Sequence, residues 1–282
     1  MTSIILSSGQ PFSLRQTLSC GQVFRWDMAE DGWWYGVVGN NAIKIRQDGN
    51  RLRFFGADTG FIEHYFALDV DLPSITASFD RDPFIHAAVT KCAGLRIIRQ
   101  PAWECLISYT IATNSNIPTI RKRIAALAER FGKPVKAFKR TFYTFPGPGD
   151  ISCGDETMLE CCKLGYRQPF VYRTACEMQN PEGWMEQLRS LSYEDAHKEM
   201  MIRSGIGPKA ADCILLFAFE KYEAFPVDVW IRRIMHEHYL PELTITSTLS
   251  RRDYDAVRRY AKKYFGKYCG YAQEYLFAAR EG

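Results

Sequence analysis

Ile202-Arg-Ser-Gly-Ile-Gly-Pro-Lys-Ala-Ala-Asp-Cys213, followed a short way on by Pro226-Val-Asp-Val-Trp230, decides how this 282-residue chain is read. Upstream of it, Tyr193 to Ile202 has helical composition. Ser192 is the expected N-cap, and Glu194 and Asp195 fall in the first turn, where a helix favours negative charge. Gly205 and Gly207 then allow a sharp turn, and Pro208 suits the first position of a new helix, where its missing N–H costs little. Ile214, Leu215, Phe217 and Ala218 make that second helix apolar enough to be buried. The result is a helix, a Gly-x-Gly hairpin and a second helix whose free amide end suits a phosphate.

Three side chains around the hairpin carry chemistry. Lys209 sits in the first turn of the second helix, where the positive helix end and any desolvation are expected to disfavour its ammonium form. A lysine so placed is an amine nucleophile able to form Schiff bases. Cys213, four residues on, shares its helix face. Asp228 stands where an N-cap belongs, ahead of a helix expected over 229–239, and its carboxylate can stabilise positive charge developing on a sugar. Singly, each residue has a plainer reading: a phosphate-contacting lysine, a small core cysteine, a helix cap. Their ordered combination favours chemistry.

That combination resembles the helix–hairpin–helix DNA glycosylases, specifically the 8-oxoguanine DNA glycosylase/AP lyase family. Further matches lie in Cys20-Gly-Gln-Val-Phe-Arg-Trp26, Gln100-Pro-Ala-Trp-Glu-Cys-Leu106 with Asn114-Ser-Asn-Ile117, Leu164-Gly-Tyr-Arg167, and Gly270-Tyr-Ala-Gln273 with Phe277. The resemblance implies a bifunctional enzyme that flips an oxidised purine out of double-stranded DNA. It implies Lys209 as nucleophile and Asp228 as its electrostatic partner. The base pocket would be formed by Gly21, through its backbone carbonyl, with Gln273 reading the Watson–Crick edge and Cys213 and Phe277 sandwiching the ring. Asn114 would fill the vacated space, Tyr166 would wedge the stack and Arg167 would read the orphaned cytosine. Backbone amides around Gly205, Gly207, Lys209 and Ala210 would hold phosphate.

Two positions depart from that pattern. Thr119 stands where the family has a second cytosine-reading arginine, which implies relaxed discrimination at the opposite base. Trp230 stands where some members carry a phosphate-contacting histidine. No organic cofactor is implied. The resemblance does allow a monovalent cation on the hairpin carbonyls of Met201, Arg203 and Ile206. Two competing readings are a monofunctional alkyl-base glycosylase of the same fold, which would lack the lysine, and a DNA-binding module without chemistry.

Composition sets outer bounds. Hydrophobic residues make up 46% of the chain, enough for a substantial core, and the net charge of +4 is compatible with DNA without arguing for it. The nine cysteines include no Cys-x-x-Cys, and the C-terminal region holds only Cys269, so no iron–sulfur cluster is expected. His236 and His238, two apart on a helix, diverge and make a poor metal pair. The absence of a secretory leader and of any long apolar run leads to the expectation of a cytoplasmic protein, and the resemblance, which is to the family's compact prokaryotic members, implies a monomer at the nucleoid.

The expected fold is α+β and mostly α, with an N-terminal twisted antiparallel sheet over 1–75 packed on a helical region over 76–282 and a hairpin at 203–209. The stretches 22–26, 33–38, 42–46 and 52–55 are β-prone and separated by turn clusters. Helical periodicity runs through Trp103, Leu106, Ile107, Thr110 and Ile111, and through Ile120, Ile124, Leu127 and Phe131. Toward the C-terminus, Tyr254, Val257, Ala261 and Tyr264 share one helix face. Arg258, Arg259, Lys262 and Lys263 are expected as solvated surface on the other.

Overall fold

A computed structural model describes residues 1–243 and 249–280. The N-terminal part is an antiparallel five-stranded sheet, ordered β1-β5-β4-β3-β2. Its strands are β1 (Thr2–Ile5), β2 (Trp26–Met28), β3 (Trp34–Val38), β4 (Asn41–Asp48) and β5 (Arg51–Phe55), with α1 (Leu14–Ser19) between the first two. Alternation drives the sheet: Ile43, Ile45, Leu52 and Phe54 face inward and are buried with Trp26, Tyr65 and Phe66.

Helices follow the sheet from α2 (Thr59–Tyr65) and α3 (Leu72–Phe79) onward. One expectation needs correction here: Gln22 to Arg25 are not a strand. The Gln22 side chain donates to Arg96 O (2.8 Å) and accepts from Ile98 N (2.8 Å), while its own carbonyl accepts from Gln100 Nε2 (2.7 Å) and Tyr109 Oη (3.1 Å). Those bonds satisfy the segment's polar groups without a ladder and pin the loop that carries Gly21.

The helical part then runs through α4 (Pro83–Lys91), α5 (Ala102–Ala112) and α6 (Ile117–Phe131). A small hairpin of β6 (Pro134–Ala137) and β7 (Arg140–Tyr143), unexpected from the sequence, interrupts it. Next come α7 (Pro148–Ser152), α8 (Gln168–Glu177), α9 (Pro181–Ser190) and α10 (Tyr193–Met201). The chain continues with α11 (Pro208–Phe219), α12 (Val229–His238), α13 (Arg251–Phe265) and α14 (Cys269–Ala279). Helix α11 is buried on nearly every side, packs along α5, and stacks Phe217 on Tyr109 with ring centroids 5.6 Å apart. A nearly all-apolar helix must occupy such a central place.

Around α11 lies a buried polar knot. Asp212 is fully buried and accepts hydrogen bonds from the hydroxyls of Tyr193 (2.5 Å) and Tyr254 (2.6 Å). Its carboxylate also lies 3.4 Å from Arg258 and from His197. Arg258 is therefore not the solvated side chain expected of it: the buried carboxylate requires a cationic partner, and α13 supplies it. The ring of His238 stacks on Phe84 at 3.6 Å, giving that histidine a packing role.

Candidate active site

The hairpin forms as expected. Ser192 caps α10 by accepting from Asp195 N, and α11 begins at Pro208. Gly205 adopts φ +79°, and a Cβ there would lie 2.6 Å from the Phe170 ring, so the turn needs glycine for both its dihedral and its space. Ile206 N–H donates to the Arg203 carbonyl at 3.2 Å and closes the turn. The first amide bond of α11 runs from Ala211 N to Gly207 O, so the amides of Lys209 and Ala210 precede the helical ladder.

Two connected spaces meet at this helix end. The inner one is a pocket of about 120 Å3 whose walls include Gly21, Lys209, Cys213, Asp228, Gln273 and Phe277. It thus gathers the two side chains expected to do chemistry and the four residues expected to form the base pocket. The outer space is a groove of about 790 Å3 lined by Asn114, Gly207, Lys209, Ala210, Asp228 and Trp230. Lys209 and Asp228 belong to both walls and stand at the threshold between cavity and groove.

Asp228 caps α12, its Oδ1 accepting from Ile231 N at 2.8 Å, which fixes the carboxylate at the threshold. Lys209 is half-buried, with its Nζ 5.5 Å from the centroid of the Tyr109 ring. The expectation of a depressed lysine needs correction. Burial pulls its pKa down, but Cys213, Asp228 and Glu274 push it up, and the balance favours the ammonium. Burial holds the Cys213 thiol up at about 12, so that thiol is neutral at pH 7.

The pocket floor is shaped by Gly21. Its φ is +108°, and a Cβ would lie 3.2 Å from Ile117 Cδ1 and 3.4 Å from Phe277 Cε1. Arg280 covers one face of Phe277 at 3.6 Å from the ring centroid. Gln273 is 4% exposed, and its Oε1 has no partner within the protein.

Asn114, Tyr166 and Arg167 form a second cluster beside the groove. Asn114 has a left-handed backbone, with φ +48°, and donates to Tyr166 Oη at 3.1 Å. Tyr166 is 52% exposed, as a residue that must meet an outside partner would be. Arg167 is buried, stacks 4.3 Å from the Tyr166 centroid and donates to the carbonyls of Thr113, Asn114 and Leu164. In this state it clamps the turn that presents Asn114.

Reasoning from sequence missed three residues. Gln22 anchors the Gly21 loop, Asp212 ties α10, α11 and α13 together, and Glu274 reaches the inner cavity. Only Glu274 carried a plain signal, as the sole charged side chain in α14. Among the described residues, no three His, Cys, Asp or Glu side chains gather as a metal ligand set, and no helix is long and apolar enough to cross a membrane.

The profile of the family described as "8-oxoguanine DNA glycosylase, N-terminal domain" matches residues 4–106. A probable N-glycosylase/DNA lyase of Methanothermobacter thermautotrophicus is 30% identical over 243 residues, covering 78% of this chain and 75% of that protein. The 8-oxoguanine glycosylase/lyase of Clostridium acetobutylicum in its apo form superposes with a TM-score of 0.90 at 30% identity, covering 99% of this chain and 97% of the other. The same enzyme in complex with double-stranded DNA containing cytosine opposite 8-oxoguanine superposes with a TM-score of 0.87 at 31% identity, covering 95% and 91%. The chain belongs to the 8-oxoguanine DNA glycosylase family of helix–hairpin–helix N-glycosylase/DNA lyases.

Proposed function

We propose that this protein excises 8-oxoguanine from duplex DNA and cleaves the resulting site through a Schiff base on Lys209. The observation that carries this reading is the placing of Lys209 and Asp228 in the shared wall of an inner pocket and an outer groove. A duplex lying in the groove puts its flipped base in the cavity and its sugar at the threshold. The amine then lies on the path to C1′. Attack there expels the base, and the carboxylate of Asp228 stabilises the positive charge that develops on the sugar. The Schiff base acidifies the C2′ proton, and its loss by β-elimination breaks the strand 3′ to the site.

Discrimination rests on Gly21. Its carbonyl accepts the N7–H that 8-oxoguanine has and guanine lacks, so guanine would set lone pair against lone pair. Gln273 reads the Watson–Crick edge, and Cys213 and Phe277 hold the ring. Asn114, Tyr166 and Arg167 fill and read the gap left in the duplex, and the first amides of α11 hold a phosphate. With Thr119 on α6, the opposite base is read less strictly. The reaction needs no organic cofactor. The carbonyls of Met201, Arg203 and Ile206 are the groups that would hold a monovalent cation. The protein acts as a monomer on chromosomal DNA in a prokaryotic cytoplasm.

The test is strand cleavage without added alkali on a duplex with 8-oxoguanine opposite cytosine. Native protein should cleave it and the Lys209→Gln variant should not. Base release by native protein with no cleavage would point to a water-using glycosylase. Binding without either would point to a module that only holds DNA.

A further inference from the structure

Glu274 has no part in the reading above, yet it occupies the reaction cavity. It is 2% exposed, one residue beyond Gln273 on α14, and it lines the same inner space as Lys209 and Asp228. Its Oε1 is buried and has no hydrogen-bond partner within the protein. A carboxyl group buried this way is costly unless something offers it a proton or a donor. The other carboxylate of the cavity is differently employed, because Asp228 already accepts from the first turn of α12.

The reaction needs such a group. Lys209 rests as an ammonium, and an ammonium has no lone pair with which to attack. One proton must leave Nζ before the nitrogen can bond to carbon. We propose that Glu274 is the proton acceptor for Lys209, taking one proton from the ammonium onto its free oxygen as substrate fills the cavity. The inference rests on the lysine chemistry proposed above. The step balances: the ammonium and the carboxylate become an amine and a carboxylic acid, no electron is transferred, and the proton returns when the amine is released. Entry of a flipped base displaces water from the cavity, and a drier cavity favours the neutral pair over the charged one.

The surroundings of Glu274 support this role. Burial is the main influence on its carboxyl group and raises it to about 7; Cys20, Arg280 and Lys209 act downward and Asp228 upward. Other neighbours that sense it are Cys92, Cys213 and Tyr109, all held neutral at pH 7 by burial. A proton acceptor works best when its pKa lies near the working pH. Two cavity carboxyls in unlike settings, one capping a helix and one with an oxygen left free, also fit a division into charge stabiliser and proton carrier.

The experiment uses the full chain in single-turnover reactions between about pH 6 and about pH 9, a range that brackets the carboxyl group's raised value. Two substrates are compared: an 8-oxoguanine:cytosine duplex and a duplex with a preformed abasic site, the latter read by borohydride trapping. Glu274→Gln should lower both rates at pH 7 by about tenfold or more, and both should recover toward the native rate at high pH, where solvent takes the proton instead. Glu274→Asp should keep a titrating limb with a lower plateau, and it serves as the reading should the glutamine variant fail to fold. A loss confined to the 8-oxoguanine substrate, with a native profile on the abasic site, would make Glu274 a reader of the base and overturn the proposal. An equal loss at every pH would make it structural and also overturn it. If native protein itself forms no adduct on the abasic site, the lysine chemistry has failed, an outcome distinct from a failure of Glu274 alone.

Discussion

At the residue scale, the account turns on four cavity side chains and one glycine. Lys209, Cys213 and Asp228 were legible because their spacing on consecutive helices states a geometry. The protonation state of Lys209 was not legible, since it is set by the balance of burial against Cys213, Asp228 and Glu274, which only the fold brings around it. Gly21 yields a sharp expectation. Gly21→Ala forces a Cβ to within 3.2 Å of Ile117 at a φ of +108°, which intrudes on the pocket floor. Excision of 8-oxoguanine should fall by more than about tenfold, from strain of about 1–3 kcal/mol at the pocket, while adduct formation on a preformed abasic site is largely retained. Parallel assays on the two substrates check this, and equal losses on both would contradict a role in base recognition.

At the element scale, α10, the hairpin and α11 were expected almost to the residue because caps, glycines and proline punctuate them. Their fastening was not. Asp212 reads as one polar residue in an apolar helix, and only the fold brings Tyr193, Tyr254 and Arg258 to it. Removing the acid leaves Arg258 facing a buried gap without its partner. Asp212→Ala should therefore cost about 3–5 kcal/mol, read as a shift of the urea midpoint. A shift under about 1 kcal/mol, the scale of an exposed ion pair, would show that the knot is open to solvent. The β6–β7 hairpin was illegible for another reason: strands of four residues carry too short an alternation to stand out from flanking helices. Gln22 was misread because a hydrogen-bonded loop and a short strand share one composition.

At the scale of the whole molecule, the sheet-plus-helices architecture was legible, because short β-prone stretches separated by turn clusters give way to helical periodicity. Glu274 also has a consequence for global stability. Its folded carboxyl is raised from the ordinary 4.5 to about 7. Below about pH 4.5 both folded and unfolded chains hold the proton. As pH rises through this window the unfolded chain ionises first, so the stability contributed by the protonated group is lost, by about 3 kcal/mol once pH passes 7. Glu274→Gln should thus gain stability over native protein at pH 8 and show little difference at pH 4, as measured by denaturant unfolding at each pH. A difference independent of pH would mean that the carboxyl is not raised.

The claim on which everything else depends is that Lys209 forms the covalent bond. It is tested most directly by trapping the reaction on an 8-oxoguanine:cytosine duplex with borohydride, digesting the adduct and locating the DNA-bearing peptide by mass spectrometry. The account predicts a single modified residue, Lys209, and no adduct with Lys209→Gln. A cross-link on another amine, or release of the base with no cross-link at all, would contradict it.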